Sequence, residues 1–243
     1  MTKHCEFGGS GAKRWLTCPA SITMSRGIKR ESSPYAEEGT KAHALGEWCL
    51  KHGKQIAEAP EAMRMDEESE AAVQIYLDKA RPSFGDRHWI EASVDLLPML
   101  SEPLVDQLFG TVDFASVKGN HLLIADYKHG KGVPVPLEGN DQMLFYAAGM
   151  MALLREKEPG RAIRKITLAV IQPRCSDVDP VQSVEIVPET IYRWIKMRLE
   201  PGIRAALLSA PTFAPSADNC RFCPAHGKCK AAEARRWMRC SHP

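Results

Sequence analysis

The stretch Phe109-Gly110-Thr111-Val112-Asp113-Phe114-Ala115-Ser116-Val117-Lys118-Gly119-Asn120-His121-Leu122-Leu123-Ile124-Ala125-Asp126-Tyr127-Lys128 decides how this chain is read. Phe109 to Val117 and His121 to Tyr127 are β-like runs, and the short turn Lys118-Gly119-Asn120 between them reads as the bend of a hairpin. Asp113 sits in an otherwise apolar strand, and Asp126 lies near the end of the next. Carboxylates in such strands are costly to bury unless they are paired or bound to metal. Side chains at i and i+2 share a strand face, so Asp126 and Lys128 point the same way. Two carboxylates facing one point across a hairpin can hold Mg²⁺ or Mn²⁺, which want hard oxygen ligands. Such a cation lowers the pKa of a bound water and neutralises charge building on a phosphate, and the lysine can orient that water or stabilise the transition state. This outlines a phosphodiester hydrolysis site. An Asp–Lys ion pair at a strand end is the plainer reading of the same residues.

Outward from the hairpin, Trp89 to Leu96 partly alternates, as a strand does, and precedes the two runs. Gly130 to Gly139 reads as a loop, and Asp141 to Arg155 as a strongly apolar helix. Lys165 to Gln172 is a buried strand and Val181 to Val187 another. Upstream, Ala42, Leu45, Trp48 and Cys49 give a helical apolar face that stops at Gly53, and residues 61–80 read as a second, acidic helix. Downstream, Pro188 to Leu208 is helical, with Pro188 near its first turn and Pro201-Gly202 interrupting it. The middle order is helix, three strands, helix, strand.

The chain has 243 residues, 44% hydrophobic and 26% charged, values normal for a globular protein rather than a disordered one. A net charge of +2 gives no global attraction to nucleic acid, so binding of that kind needs a local basic groove. The first residues hold no apolar core of signal-peptide length, and no run of roughly 18 apolar residues exists. The expectation is a cytoplasmic protein with no membrane span.

Taken together, several phrases resemble the PD-(D/E)XK nuclease superfamily. Asp113 with Asp126-Tyr127-Lys128 is similar to its D…DXK motif, and Gly110-Thr111-Val112-Asp113 to the G-x-x-D of RecB-like members. Gly39 to Glu47 resembles their G-x-x-x-H-x-x-x-E helix, and Gln142 to Tyr146 their Q-x-x-x-Y motif. Ser10 to Ser21, with Tyr35 to Thr40, resembles an uncharacterised phage and prophage family within that group, which is itself similar to CRISPR-associated RecB-like exonucleases. The resemblance implies an α/β fold: a restriction-endonuclease-like αβββαβ core, a mixed sheet flanked by helices. It implies metal ligation by His43, Asp113, Asp126 and the backbone carbonyl of Tyr127, with Asp113, Asp126, Lys128, Gln142 and Tyr146 in the catalytic set. Asp126 stands where many RecB-like members have Glu, which bears on where the metal sits. His43 and Glu47 share a helix face, which suits a ligand and a partner that orients it; a packed or exposed histidine is the simpler alternative. Gln142 and Tyr146 also share a face, and their alternative is a polar fringe on a core helix.

Eight cysteines are many for a chain with no secretion signal, and ligation fits them better than disulfides. Cys220-x2-Cys223-x5-Cys229 packs three thiols into ten residues, spacing that suits a tetrahedral metal or an iron–sulfur cluster. Cys18 is the leading fourth ligand, with Cys5 and Cys240 as rivals; Cys49 and Cys175 read as ordinary buried thiols. One N-terminal and three C-terminal cysteines resemble the RecB-like nucleases that hold a 4Fe-4S cluster, with Zn²⁺ the alternative. Such a group ties the two ends of the chain together across a long loop.

One nuclease domain over residues 1–243 follows: N-terminal helices over 36–85, a catalytic sheet core over 88–187, and a C-terminal helix and cysteine region over 188–243, joined by 10–21. The expected activity is a metal-dependent DNA exonuclease of phage recombination or replication, in a bacterial host cell. Its partners would be single- or double-stranded DNA ends and a single-strand annealing or binding protein. Lys128, His129 and Lys131, and the basic run Lys228, Lys230, Arg235, Arg236 and Arg239, are candidates for tracking a phosphate backbone. The competing reading is a catalytically inactive nucleic-acid-binding or structural metalloprotein of the same fold.

Overall fold

In the computed structural model, which describes residues 5–28 and 33–234, the hairpin forms where the sequence places it. Gly119 takes the left-handed conformation (φ +57°) that the tight turn requires. Eight α-helices and three further strands precede or follow that hairpin among the described residues. The chain begins with α1 (Ala12–Thr17) and α2 (Ala20–Ser25), then α3 (Pro34–His52) and α4 (Glu67–Ala80). β1 (Arg87–Asp95), β2 (Phe109–Lys118) and β3 (His121–Tyr127) follow, then α5 (Asp141–Lys157), β4 (Lys165–Ile171) and β5 (Val181–Ile186). The strands form one sheet in sequence order, β1-β2-β3-β4-β5. All neighbours are antiparallel except β3 and β4, which are parallel. A parallel pair needs a crossover, and α5 supplies it. The result is a mixed five-stranded sheet flanked by helices, an α/β fold compatible with a restriction-endonuclease-like core.

Local chemistry sets the helix ends. Ser33 caps α3 by accepting from the Ala36 N–H, Pro34 occupies its first turn, and Gly53 ends it in the left-handed region. The acidic helix begins later than the sequence pattern predicts. Asp66 accepts from the Ser69 N–H and so starts α4 at Glu67, leaving Glu61–Met63 as a separate 3-10 turn. The C-terminal helical run also differs from expectation. Helix α6 (Pro188–Trp194) passes into one turn of π-helix, Ile195–Leu199, and on into α7 (Glu200–Leu207). The chain stays helical through Pro201, and the irregular turn lies just before it, where wider winding accommodates a residue with no N–H. A short helix, α8 (Ala217–Arg221), follows.

The sheet separates two apolar layers. On one face α5, α1 and the α6–α7 run pack over Val117, Leu122, Ile124, Ile166, Leu168 and Val170. On the other, α3 and α4 pack over Phe114, Ala125, Tyr127, Ala169 and Ile171. Helix α5 lies close on β1: a Cβ on Gly149 would stand 2.5 Å from a Val94 methyl, so only glycine fits there. Among the described residues, no helix is long and apolar enough to cross a membrane.

Candidate active site

Strands β1 and β2 lose their regular pattern at one point. Between the Ile90–Phe114 and Ala92–Val112 pairs, Glu91 and Asp113 face each other without a ladder pair. Glu91 has φ +50°, a left-handed conformation that costs a residue with a side chain about 1 kcal/mol or more. The alternation of β2 breaks there too. Val112 packs in the α5 layer and Phe114 in the α3 layer, although i and i+2 share a face in a regular strand. Groups from both layers therefore meet at this break. From α3, His43 brings its Nδ1 to 3.6 Å from Glu91 Oε1 and 3.7 Å from Asp113 Oδ2. Ligand atoms of His43, Glu91 and Asp113 all lie within 4.8 Å of one another, a set able to hold a metal ion.

The hairpin partner closes the site from the α5 side. Asp113 Oδ2 accepts from the Tyr127 N–H at 2.7 Å, which ties β2 to the end of β3. Lys128 Nζ lies 2.7 Å from Asp126 Oδ2, as the shared strand face predicts. Gln142, on the first turn of α5, links these groups. Its Nε2 donates to Asp126 Oδ1 at 3.0 Å and to the Tyr146 hydroxyl at 2.9 Å, while its Oε1 accepts from Lys128 at 3.2 Å. Gly110 matters here because its missing Cβ would stand 3.1 Å from the Tyr146 ring, so the Gly-x-x-Asp phrase lets α5 approach the strand. Asp126 is only 1% exposed, and its Oδ2 touches Lys128 without making a well-formed hydrogen bond. A buried carboxylate oxygen left short of partners is one that a cation would satisfy. Together with the hard oxygen donors and one imidazole, it makes the residues fit Mg²⁺ or Mn²⁺.

Electrostatics point the same way. Burial, reinforced by the nearby charge of Asp126, pushes the Asp113 carboxyl up to about 7. Burial works against charge on His43, but Glu91, Asp113 and Asp126 outweigh it and leave the imidazole raised. The same contest at Lys128 ends with its ammonium raised, held charged by Asp126 and Asp113. Burial, with Asp126 next, raises Tyr146 and keeps its hydroxyl neutral. The site therefore carries more acid than it can comfortably ionise, which a divalent cation would relieve.

Of the residues singled out from sequence, the structure brings together His43, Asp113, Asp126, Lys128, Gln142 and Tyr146, and Tyr127 joins them through its N–H on Asp113. Glu47, expected to orient His43, instead pairs with Lys51 at 2.5 Å, one helical turn on. Glu91 takes its place beside His43, and sequence reading missed it. Its only signal is an acid in the strand that flanks the hairpin. One proposed phosphate contact, His129, also changes role. His129 is buried, with Nδ1 2.7 Å from the Tyr127 hydroxyl and its other ring nitrogen against Arg174. Lys131 pairs with Glu68 at 2.7 Å. His129 is thereby held inside the protein, whereas Lys131 stays exposed at the surface, where such an ion pair is weak. Tyr127 in turn stacks on Tyr76 at 5.0 Å and meets the His43 ring at 5.4 Å, which braces the imidazole from below.

Away from this centre, Cys18, Cys220, Cys223 and Cys229 line one cavity, together with Met24, Phe213 and His226. All four are free thiols. Cys5 points elsewhere, to the Gln107 carbonyl, and Cys49 and Cys175 are buried. Cys240, Arg235, Arg236 and Arg239 lie outside the described residues.

Comparison with known proteins adds family and fold. A family model described as "Protein of unknown function (DUF2800)" matches residues 4–241. A crystal structure of a protein from Eubacterium rectale, described as a candidate exonuclease, is similar with a TM-score of 0.51 and 10% identity, over 95% of this chain and 88% of that one. At that identity the likeness is one of fold. The solved structure of SSO0001 is 17% identical over 90% of this chain and 96% of that chain, with a TM-score of 0.37.

Proposed function

Since the chain belongs to the DUF2800 family, whose function its description leaves open, we propose from its site that it is a metal-dependent nuclease of the PD-(D/E)XK kind. One observation carries the reading: a cation-sized group of ligands, His43, Glu91 and Asp113, stands beside the buried Asp126 carboxylate and its Lys128 partner 2.7 Å away. The fold likeness to a protein described as a candidate exonuclease supports the class. In this reading residues 1–243 form a single nuclease domain. Glu91, Asp113, His43, Asp126 and the Tyr127 carbonyl hold Mg²⁺ or Mn²⁺. When bound, the cation supplies a more acidic water and offsets phosphate charge. Lys128 stabilises charge developing on the scissile phosphate, and Gln142 holds Lys128 and Asp126 in register. The substrate is DNA ends, acted on as an exonuclease in phage recombination or replication alongside a single-strand annealing or binding protein.

Purified protein with Mn²⁺ is expected to shorten end-labelled DNA strands, and EDTA to stop it. Tight single-strand binding with no cleavage in any divalent metal would instead favour the inactive binding module.

The four thiols lining one cavity fit a soft-ligand group, and we assign them to a 4Fe-4S cluster that clips the α1–α2 junction to the α8 region. Anaerobically purified protein is then expected to be brown and to hold iron and sulfide, both lost in Cys220→Ser. Zinc without iron would replace the cluster by the tetrahedral alternative.

A further inference from the structure

Asp141 opens α5 one residue before the active-site Gln142, yet takes no part in capping the helix. Asn140 does that, its Oδ1 accepting from the Gln142 and Met143 N–H groups at 3.0 and 3.1 Å. Asp141 is nonetheless buried, 3% exposed. Its carboxylate is met by two side chains from the α6–α7 run. Arg198 grips it with a two-pronged fork, Nε to Oδ1 and Nη2 to Oδ2, both 2.6 Å, and Trp194 Nε1 donates to Oδ1 at 2.9 Å. Arg198 lies in the π-turn, and Trp194 just precedes it. The first turn of α5 is thus fixed by a separate element, the α6–α7 run.

We propose that Arg198, with Trp194, is a positioning residue that acts through Asp141 to hold Gln142 on Asp126 and Lys128; this rests on the nuclease reading above. The physical reason lies in the geometry of Gln142. Its amide has three simultaneous partners, Asp126, Lys128 and Tyr146, on two elements. A shift of the helix start by about 1 Å is enough to break that set, and displacements of this size cost on the order of 100-fold in rate. Bidentate arginine is suited to the task because its planar fork fixes direction as well as distance, which a lysine cannot.

In Mn²⁺-dependent cleavage, Arg198→Gln is expected to lower kcat by roughly tenfold or more, with KM for the strand and calorimetric Mn²⁺ affinity moved less than about twofold. Arg198→Lys is expected to recover only part of the loss. The deciding measurement is the same change in a Gln142→Ala background, where it is expected to cost nothing further, since both act on one contact set. Losses that multiply in the double variant, or a kcat that falls only in step with the folded fraction read by circular dichroism, would overturn the proposal. If Arg198→Gln does not fold, Trp194→Phe, which removes one donor, carries the same cycle. A wild-type protein with no metal-dependent cleavage sinks the nuclease reading and the positioning role with it, a result distinct from multiplied losses in an active enzyme.

Discussion

Asp126→Ala and Lys128→Ala are each expected to lower Mn²⁺-dependent DNA degradation by at least about 100- to 1,000-fold, the scale seen when one preorganised charge is removed from a reacting centre. The two losses arise differently. Removing Lys128 withdraws a charged donor 2.7 Å from Asp126 and frees Gln142 from one of its three partners. Removing Asp126 takes away a buried ligand whose Oδ2 meets only the Lys128 ammonium, and leaves the raised Lys128 ammonium without its nearest counter-charge. Breaking a buried pair from one side is destabilising, so the controls are Asp126→Asn, which keeps shape and the bond from Gln142, and Lys128→Gln. Both are expected to fold, by circular dichroism and thermal melting, and to remain inactive. Undiminished degradation by purified Asp126→Ala would reject the assignment.

The second large effect is on the cation itself. Glu91→Gly and His43→Ala are expected to weaken Mn²⁺ binding by roughly 10- to 100-fold in calorimetry, a range typical of groups that hold or orient a metal. Glu91→Gly separates ligation from folding in an informative way. Glycine adopts φ +50° without strain, so the metal-free variant is expected to melt no lower than wild type while its affinity falls. Unchanged Mn²⁺ affinity in Glu91→Gly would remove Glu91 from the site. A pH dependence follows from Asp113. Its carboxyl is raised to about 7 by burial and Asp126, against roughly 3.9 in an unfolded chain. Between those values the folded metal-free protein binds the extra proton, so its stability falls as pH rises through that window. A cation needs the ionised form and displaces the proton. The gain in melting temperature on adding Mn²⁺ is therefore expected to grow from pH 5 to pH 7.5 and then level off. A gain that shrinks over that range would mean Asp113 is not a ligand.

Much of the fold could be read directly from the sequence because it rests on local rules. The turn at Gly119 fixes the hairpin, and the period-2 spacing puts Asp126 beside Lys128 without knowledge of anything distant. Ser33 and Gly53 bound the helix that carries His43. The order helix, three strands, helix, strand then selects a mixed sheet. Structure departs from pattern where two local signals compete: residues 61–80 pattern as one acidic helix, but Asp66 caps α4 and starts it only at Glu67.

The site itself divides along the same line. The sequence alone determined the chemistry available: two acids, a lysine and a histidine in hard-cation company, and a separate set of soft thiols. Only the tertiary structure decided that Glu91 joins His43 and Asp113, that Glu47 does not, and that Arg198 grips Asp141 from 57 residues away. The reason is physical. Periodicity encodes which face a residue presents, but a break in the β1–β2 ladder, where Glu91 turns to φ +50° and Val112 and Phe114 part to opposite layers, has no periodic signature. It lies where the two layers packed on one sheet meet, a property of the assembled core rather than of any segment.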